Sequence, residues 1–252
     1  MLPAFYVILV LMKPLNKKPK HQFFTLLCIT LCTFLSCAVK INGQINADDS
    51  AQFNINASME PAIERLIRRL GHTPAENSLI LDGRLITQSM SQAPGVLSVS
   101  FVNTSPTAIQ GQLQISKIDE FLSTADGRGF ISLERTGSRG RCIITISFET
   151  GPDILNLLSP DIRDYLSAIF APIATGDPLK KNEYLEDVRT FYGEAISNEI
   201  ARSRIHASIT FPATVSKVIG GRASGRQVDF DIPLIDILVL ESPLWYEIEW
   251  GG

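Results

Sequence analysis

Phe23 to Leu35 reads Phe-Phe-Thr-Leu-Leu-Cys-Ile-Thr-Leu-Cys-Thr-Phe-Leu, a run without one charge. Lys17, Lys18, Lys20 and His21 precede it, and Ser36 and Cys37 follow before the chain turns polar. A basic stretch, a short apolar stretch and a small residue at its end are the parts of a secretory signal. The run is shorter than the roughly 20 apolar residues that span a bilayer, and it lies too early in the chain for a core helix. This feature divides the chain into a signal peptide over residues 1–36 and a mature domain over residues 37–252. Met1 to Leu11 is a second apolar piece that no signal peptide needs. Met12 is a second start candidate, and a start there leaves Met12 to His21 as an ordinary basic region. A membrane-inserted hairpin is the other reading of residues 1–36, and Lys13 to His21 would interrupt it.

Phe34-Leu35-Ser36-Cys37 resembles a bacterial lipobox, where a peptidase cuts just before a cysteine that carries lipid. The usual pattern has Leu at the place of Phe34 and a smaller residue at the place of Leu35, so the match is a relaxed one. The chemistry needs a thiol to take the diacylglyceryl group and a small residue before it. Cys37 is therefore the expected lipidation site. A conventional signal peptide with a bystander cysteine, or an uncleaved anchor, are the alternatives. With Cys28 and Cys32 lost and Cys37 acylated, Cys142 alone remains, so no internal disulfide and no paired-cysteine zinc site is expected. Cys142 lies in an apolar strand pattern and reads as a buried, inert thiol.

Hydrophobic residues make up 45% of the 252 residues and charged ones 19%, an ordinary globular composition with enough chain for a sizeable core. The formal charge of −3 argues against a nucleic-acid binder that works through phosphate contacts. Four lysines and no acid leave with the signal, so 19 basic residues face 26 acidic ones and the mature charge is −7. Such a domain is held to a membrane by its lipid rather than by its surface.

Residues 38–58 alternate as a hairpin around Asn46 to Ser50, with Val39, Ile41, Ile45, Phe53, Ile55 and Ala57 as its apolar positions. Met59, Ile63, Leu66, Ile67 and Leu70 recur at helical spacing, with Pro61 in the first turn, Gly71 as the stop and Glu64–Arg68 as an i,i+4 pair. A second helix is expected around Leu79 to Met90. Strands are expected over Val96 to Val102, with Leu97, Val99 and Phe101 on one face, and over Ile109 to Ile115. A short helix covers Lys117 to Leu122, and a hairpin spans Ile131 to Phe148. Ser159 and Pro160 open a helix through Phe170 that Pro172 ends. The longest helix is expected from Lys181 to Arg202, with Leu185, Val188, Phe191, Tyr192, Ala195 and Ile196 inward. His206 to Phe211 is a strand, and Val215 to Ile219 is expected to pair with Gln227 to Ile232. Leu234 to Leu240 is a short helix and Trp245 to Trp250 a last strand. Hairpins with helices inserted between them predict an α+β fold, an antiparallel sheet packed by amphipathic helices. Thr175-Gly176-Asp177-Pro178 is the one candidate boundary loop.

The mature chain resembles the LppM-like group of bacterial lipoproteins, and more particularly lipoproteins of treponemes. The resemblance rests on Cys37 leading into Val39-Lys40-Ile41-Asn42-Gly43, the turn Ala47 to Ala51 and the following helix. It rests also on Ile209-Thr210-Phe211-Pro212, Gly220-Gly221, and Val228 to Leu234, ending in Trp250. It implies a membrane-tethered α+β domain of the cell envelope that binds lipids or glycolipids. Members from actinobacteria usually carry a transmembrane segment after the domain. This chain has none there, so lipid alone is expected to hold it to the inner or outer membrane, facing the periplasm or the surface.

No catalytic constellation stands out. His72 and His206 are the histidines of the mature part. No Gly-x-Ser-x-Gly elbow exists, and the glycines at 220, 221 and 225 do not join a strand to a helix as a nucleotide loop would. Asp229, Asp231 and Asp236 sit close in sequence, and a solvated strand face explains them better than a cation site. Asp48 and Asp49 read as turn formers. The expected function is a non-catalytic binding or structural module for an envelope lipid, glycan or protein, with no cofactor, no metal and no nucleic acid. An envelope hydrolase with an acidic site is the alternative. Tyr246, Ile248 and Trp250 share one face of the last strand, while Trp245 points the other way beside Glu247 and Glu249. Trp245 is therefore the candidate binding residue, a ring with a wet edge, against the plainer reading that both tryptophans are core.

Overall fold

The computed structural model describes residues 37–70, 79–123, 131–151 and 166–251. The export segment lies outside these residues, as do Gly71, His72 and the helix start at Ser159 and Pro160. Strands β1 (Cys37–Ile45) and β2 (Ala51–Met59) form the first hairpin, with Ile41 opposite Ile55. Their alternation buries Val39, Ile41, Ile45, Phe53, Ile55 and Ala57 on one face. Gly43 belongs to that face because a Cβ there would run into the Phe53 ring. In the turn, Asp48 Oδ1 accepts from the Ser50 backbone N–H at 3.1 Å and from its hydroxyl at 2.6 Å.

Helix α1 (Pro61–Leu70) packs Ala62, Ile63, Leu66 and Ile67 inward, with Arg68 Nε bonded to Glu64 at 2.8 Å. Its first turn is capped from far along the chain. The buried Glu199 carboxylate accepts the N–H groups of Ala62 and Ile63, one on each oxygen, both at 3.0 Å. Such charge-assisted bonds at a helix N-terminus contribute about 1.5–3 kcal/mol each. Helix α2 (Gly83–Met90) starts later than expected because Asp82 caps it, accepting from Arg84 and Leu85.

Strands β3 (Val96–Ser105) and β4 (Ala108–Ile115) add to the first hairpin, and α3 (Ile118–Ser123) follows. The register slips between Val96 and Ser98, which takes Leu97 off the face of Val99 and Phe101 and leaves it 69% exposed. Strands β5 (Ile131–Thr136) and β6 (Arg139–Ile146) make the second hairpin. Helix over 166–168 gives way to a turn before Pro172, and Pro172 itself opens the next helix, α4 (Pro172–Thr175), as its first residue. Thr175 to Pro178 leads from α4 to the next helix, and the buried core runs continuously past it.

The expected long helix is two helices, α5 (Lys181–Tyr192) and α6 (Glu194–Arg202), broken at Gly193 with φ 96° and ψ 162°. The break redirects the apolar faces. Tyr184, Val188, Ile196 and Ile200 are buried, whereas Phe191 is 64% exposed and Ala195 also faces out. Strand β7 (Arg204–Thr210) then runs parallel to β1, with Ala207 opposite Ile41. Strand β8 (Val215–Ile219) does not pair with β10 (Gln227–Pro233). It joins β11 (Leu244–Trp250), while β10 takes β7 on one side and the short β9 (Arg222–Ser224) on the other. Gly220, at φ 78°, turns the chain from one sheet to the other. Helix α7 (Leu234–Val239) connects β10 to β11.

The fold is α+β, with two sheets. The large one has the order β3-β4-β2-β1-β7-β10-β9, and the small one β5-β6-β11-β8. The β1–β7 pair is the parallel exception to an otherwise antiparallel arrangement. The inner faces meet where Phe211 stacks on Trp250 at 5.0 Å and Phe230 meets Tyr246 edge-on at 5.9 Å. The outer face of the large sheet carries the polar half of each alternation.

Candidate functional site

Strand β1 includes Cys37, whose backbone lies opposite Met59, so the expected lipid-bearing residue pairs at the end of the first hairpin. At the other end of the chain, β11 turns Tyr246, Ile248 and Trp250 into the core and leaves Trp245 46% exposed. Trp250 is thus a core ring and Trp245 is not. Ile219 of β8, 42% exposed, faces the same way as Trp245, and Ile143 of β6 lies between the two strands' registers opposite Glu247.

Alternation places Glu247 on this outer face as a wet carboxylate, yet it is only 3% exposed. Arg141 Nη2 on β6 and Lys217 Nζ on β8 reach its Oε1 from either side, at 2.7 Å and 2.9 Å. The hydrogen bond from Lys217, then that from Arg141, holds the carboxyl down to about 2. The same bonds raise the Arg141 guanidinium and the Lys217 ammonium above their ordinary values. Such a clamped carboxylate is ionised across the physiological range and cannot serve as a general acid there.

The three aspartates near the end of the chain are not brought together. Asp229 and Asp231 share the outer face of β10, whereas Asp236 sits on α7 with Lys181 Nζ at 2.8 Å. Asp231 Oδ1 lies 3.1 Å from His206 Nδ1 across the β7–β10 pair. Hydrogen bonds from Ser208 and Gln227 hold Asp229 below the usual carboxylate range. Lys40, Asn42, His206, Ser208, Asp229 and Asp231 line a concavity of about 340 Å³ here. Among the described residues no group of three His, Cys, Asp or Glu side chains could hold a metal ion.

Cys142 is buried, and burial pushes its thiol up to about 12, so it stays protonated and inert. Asp49, at φ 69°, pairs with Arg135 of β5 and ties the first turn to the small sheet. A second cavity, of about 510 Å³, opens where α5 begins, against the segment joining α7 to β11. Phe148, Leu179, Val239, Leu240 and Pro243 give it apolar walls. His72 lies outside the described residues.

Sequence reasoning missed Glu247 and its two cations because the clamp joins three strands that are far apart in the chain. It missed the Glu199 cap for the same reason. It also passed over an uncharged polar pattern that was open to view, Gln52-Asn54-Asn56 on β2 and Gln110-Gln112-Gln114 on β4.

No family model matches the chain, and no curated protein sequence matches it. Among solved structures, the NMR structure of the folded domain of LppM from Mycobacterium tuberculosis is similar to 85% of this chain. The match covers 89% of that chain at 15% identity, with a TM-score of 0.41. No family, activity or ligand follows from a likeness this loose.

Proposed function

We propose that the chain is an envelope lipoprotein, anchored through lipid on Cys37, whose folded domain binds an envelope component without turning it over. One observation carries the anchor. The basic stretch and apolar run end at Ser36-Cys37, and β1 includes that same cysteine. Lipid there would attach to a residue that itself pairs in the first hairpin, opposite Met59. Two or more acyl chains, at about 0.8 kcal/mol per buried CH₂, hold such a domain stably.

Binding is supported by the exposed Trp245 ring and by the apolar-walled cavity beside α5, two residues away along the chain. Asp48, Glu149, Asp229 and Glu247 are each held below their ordinary values by hydrogen bonds, which suits acceptors and salt-bridge partners rather than acids. Metabolic labelling with a fatty-acid analogue tests the anchor. The expected result is label on the wild type and none on Cys37→Ala. Equal labelling of the two proteins would end the lipoprotein reading.

A further inference from the structure

We propose that the outer face of the large sheet is a docking surface for a glycan strand without charge along its backbone. The register of the sheet sets Asn42 of β1, Asn54 of β2 and Gln112 of β4 side by side in one row. Lys40 of β1, Asn56 and Gln110 form the next row, with Lys40 at its β1 end, and Gln52 flanks the first on the other side. Strands lie about 4.8 Å apart and side chains on one face recur about every 6.8 Å, so these amides form a regular grid. All six are exposed or half-buried, and none of their side chains bonds to another described residue.

The chemistry of this grid is specific in what it lacks. Strands β2, β3 and β4 place no charged side chain on it, in a mature domain that carries 45 charged residues. An exposed sheet face is ordinarily kept soluble by Lys and Glu. Each amide offers two N–H donors and a carbonyl acceptor with no net charge. That set matches hydroxyl and acetamido groups, which also donate and accept without charge. It does not match phosphates, which call for Arg and Lys. Nor does it match acyl chains, because Val102 and, at the bulged end of β3, Leu97 are the large exposed apolar side chains that these strands bring to it.

The concavity lined by Lys40, His206, Ser208, Arg222, Asp229 and Asp231 continues the same face with charges of both signs, and Asn42 belongs to both. An amide field running into a pocket with two carboxylates suits a chain of sugars. The strand lies along the rows, and a terminal or branching unit enters the pocket, where carboxylates accept from its hydroxyls. The inference rests on the envelope reading only for where such a glycan would be met.

The test is co-sedimentation of the full chain in detergent micelles with protein-free peptidoglycan sacculi, competed by chitohexaose. The wild type is expected to sediment with the sacculi and to be released by chitohexaose. Asn54→Ala combined with Gln112→Ala, with an unaltered circular dichroism spectrum, is expected to lose retention about tenfold or more. Glu186→Gln, on the exposed side of α5, is expected to keep it. Absence of wild-type retention, or equal retention by the double variant, overturns the proposal. So does self-association of the wild type that the double variant abolishes without any retention on sacculi, which would assign the face to a second copy. Cys37→Ala in the same assay separates the two readings, because a failed anchor leaves retention on sacculi intact.

Discussion

Glu247 joins three strands through one carboxylate. Its Oε1 receives Arg141 from β6 and Lys217 from β8, and Glu249, two residues on, lies 3.6 Å and 3.5 Å from the same two cations. The consequence for acid stability has a definite sign. The folded carboxyl is depressed from 4.5 to about 2, so it contributes stability that is fully present above the unfolded value. That contribution is lost as pH falls from about 4.5 to about 2. Glu247→Gln is therefore expected to flatten the fall of the urea midpoint across this window, while differing from the wild type mainly above it. A variant whose acid profile runs parallel to that of the wild type would remove Glu247 as the source. Period-two alternation assigned Trp245 and Glu247 to one outer face, which is where they are. Alternation cannot see across strands, so it could not show that the ring stays wet while the carboxylate is covered.

Among the elements, those whose partners are close in sequence were the readable ones. Strands β1 and β2 are joined by five residues, and β5 and β6 by Gly137 and Ser138, so alternation and turn chemistry suffice for both hairpins. Strand β8 misled because its sequence neighbour β10 was the obvious partner, and its actual partner β11 lies beyond α7. The α5–α6 break was hidden differently. Glu194 to Ile200 continues a helical pattern, so one glycine among helix formers read as tolerated. At φ 96° and ψ 162°, Gly193 occupies a backbone region that only glycine enters readily, and a Cβ there would meet nothing within 4 Å. Gly193→Ala thus isolates the backbone effect from packing. It is expected to cost about 1–3 kcal/mol by denaturant unfolding, with an unchanged m-value. A neutral or stabilising result would mean that α5 and α6 merge into one straight helix without penalty.

At the scale of the molecule, the two sheets share one core rather than forming two units. Buried residues of both belong to a single apolar cluster, in which Phe211, just past β7, and Phe230 of β10 pack against Trp250 and Tyr246 of the small sheet. Arg135 and Asp49 add an ion pair between the first turn and β5. Both tryptophans lie on β11, so intrinsic fluorescence reports the small sheet, whereas far-ultraviolet circular dichroism reports all strands and helices. Residues 38–252 are expected to melt with coincident midpoints by the two probes, in the presence of chelator and reductant alike. Phe211→Ala, which removes a fully buried ring at the junction, is expected to lower both midpoints together, at a cost of about 3–5 kcal/mol. Separate midpoints, or a cooperative melt that appears only on adding a metal ion, would refute this account. Coincidence follows from the topology as well as from the contacts. The chain leaves the small sheet at Ile219, builds β9 and β10 in the large one, and returns through α7 to β11. Neither sheet can be completed without the other, and unfolding either one exposes the inner face of its partner.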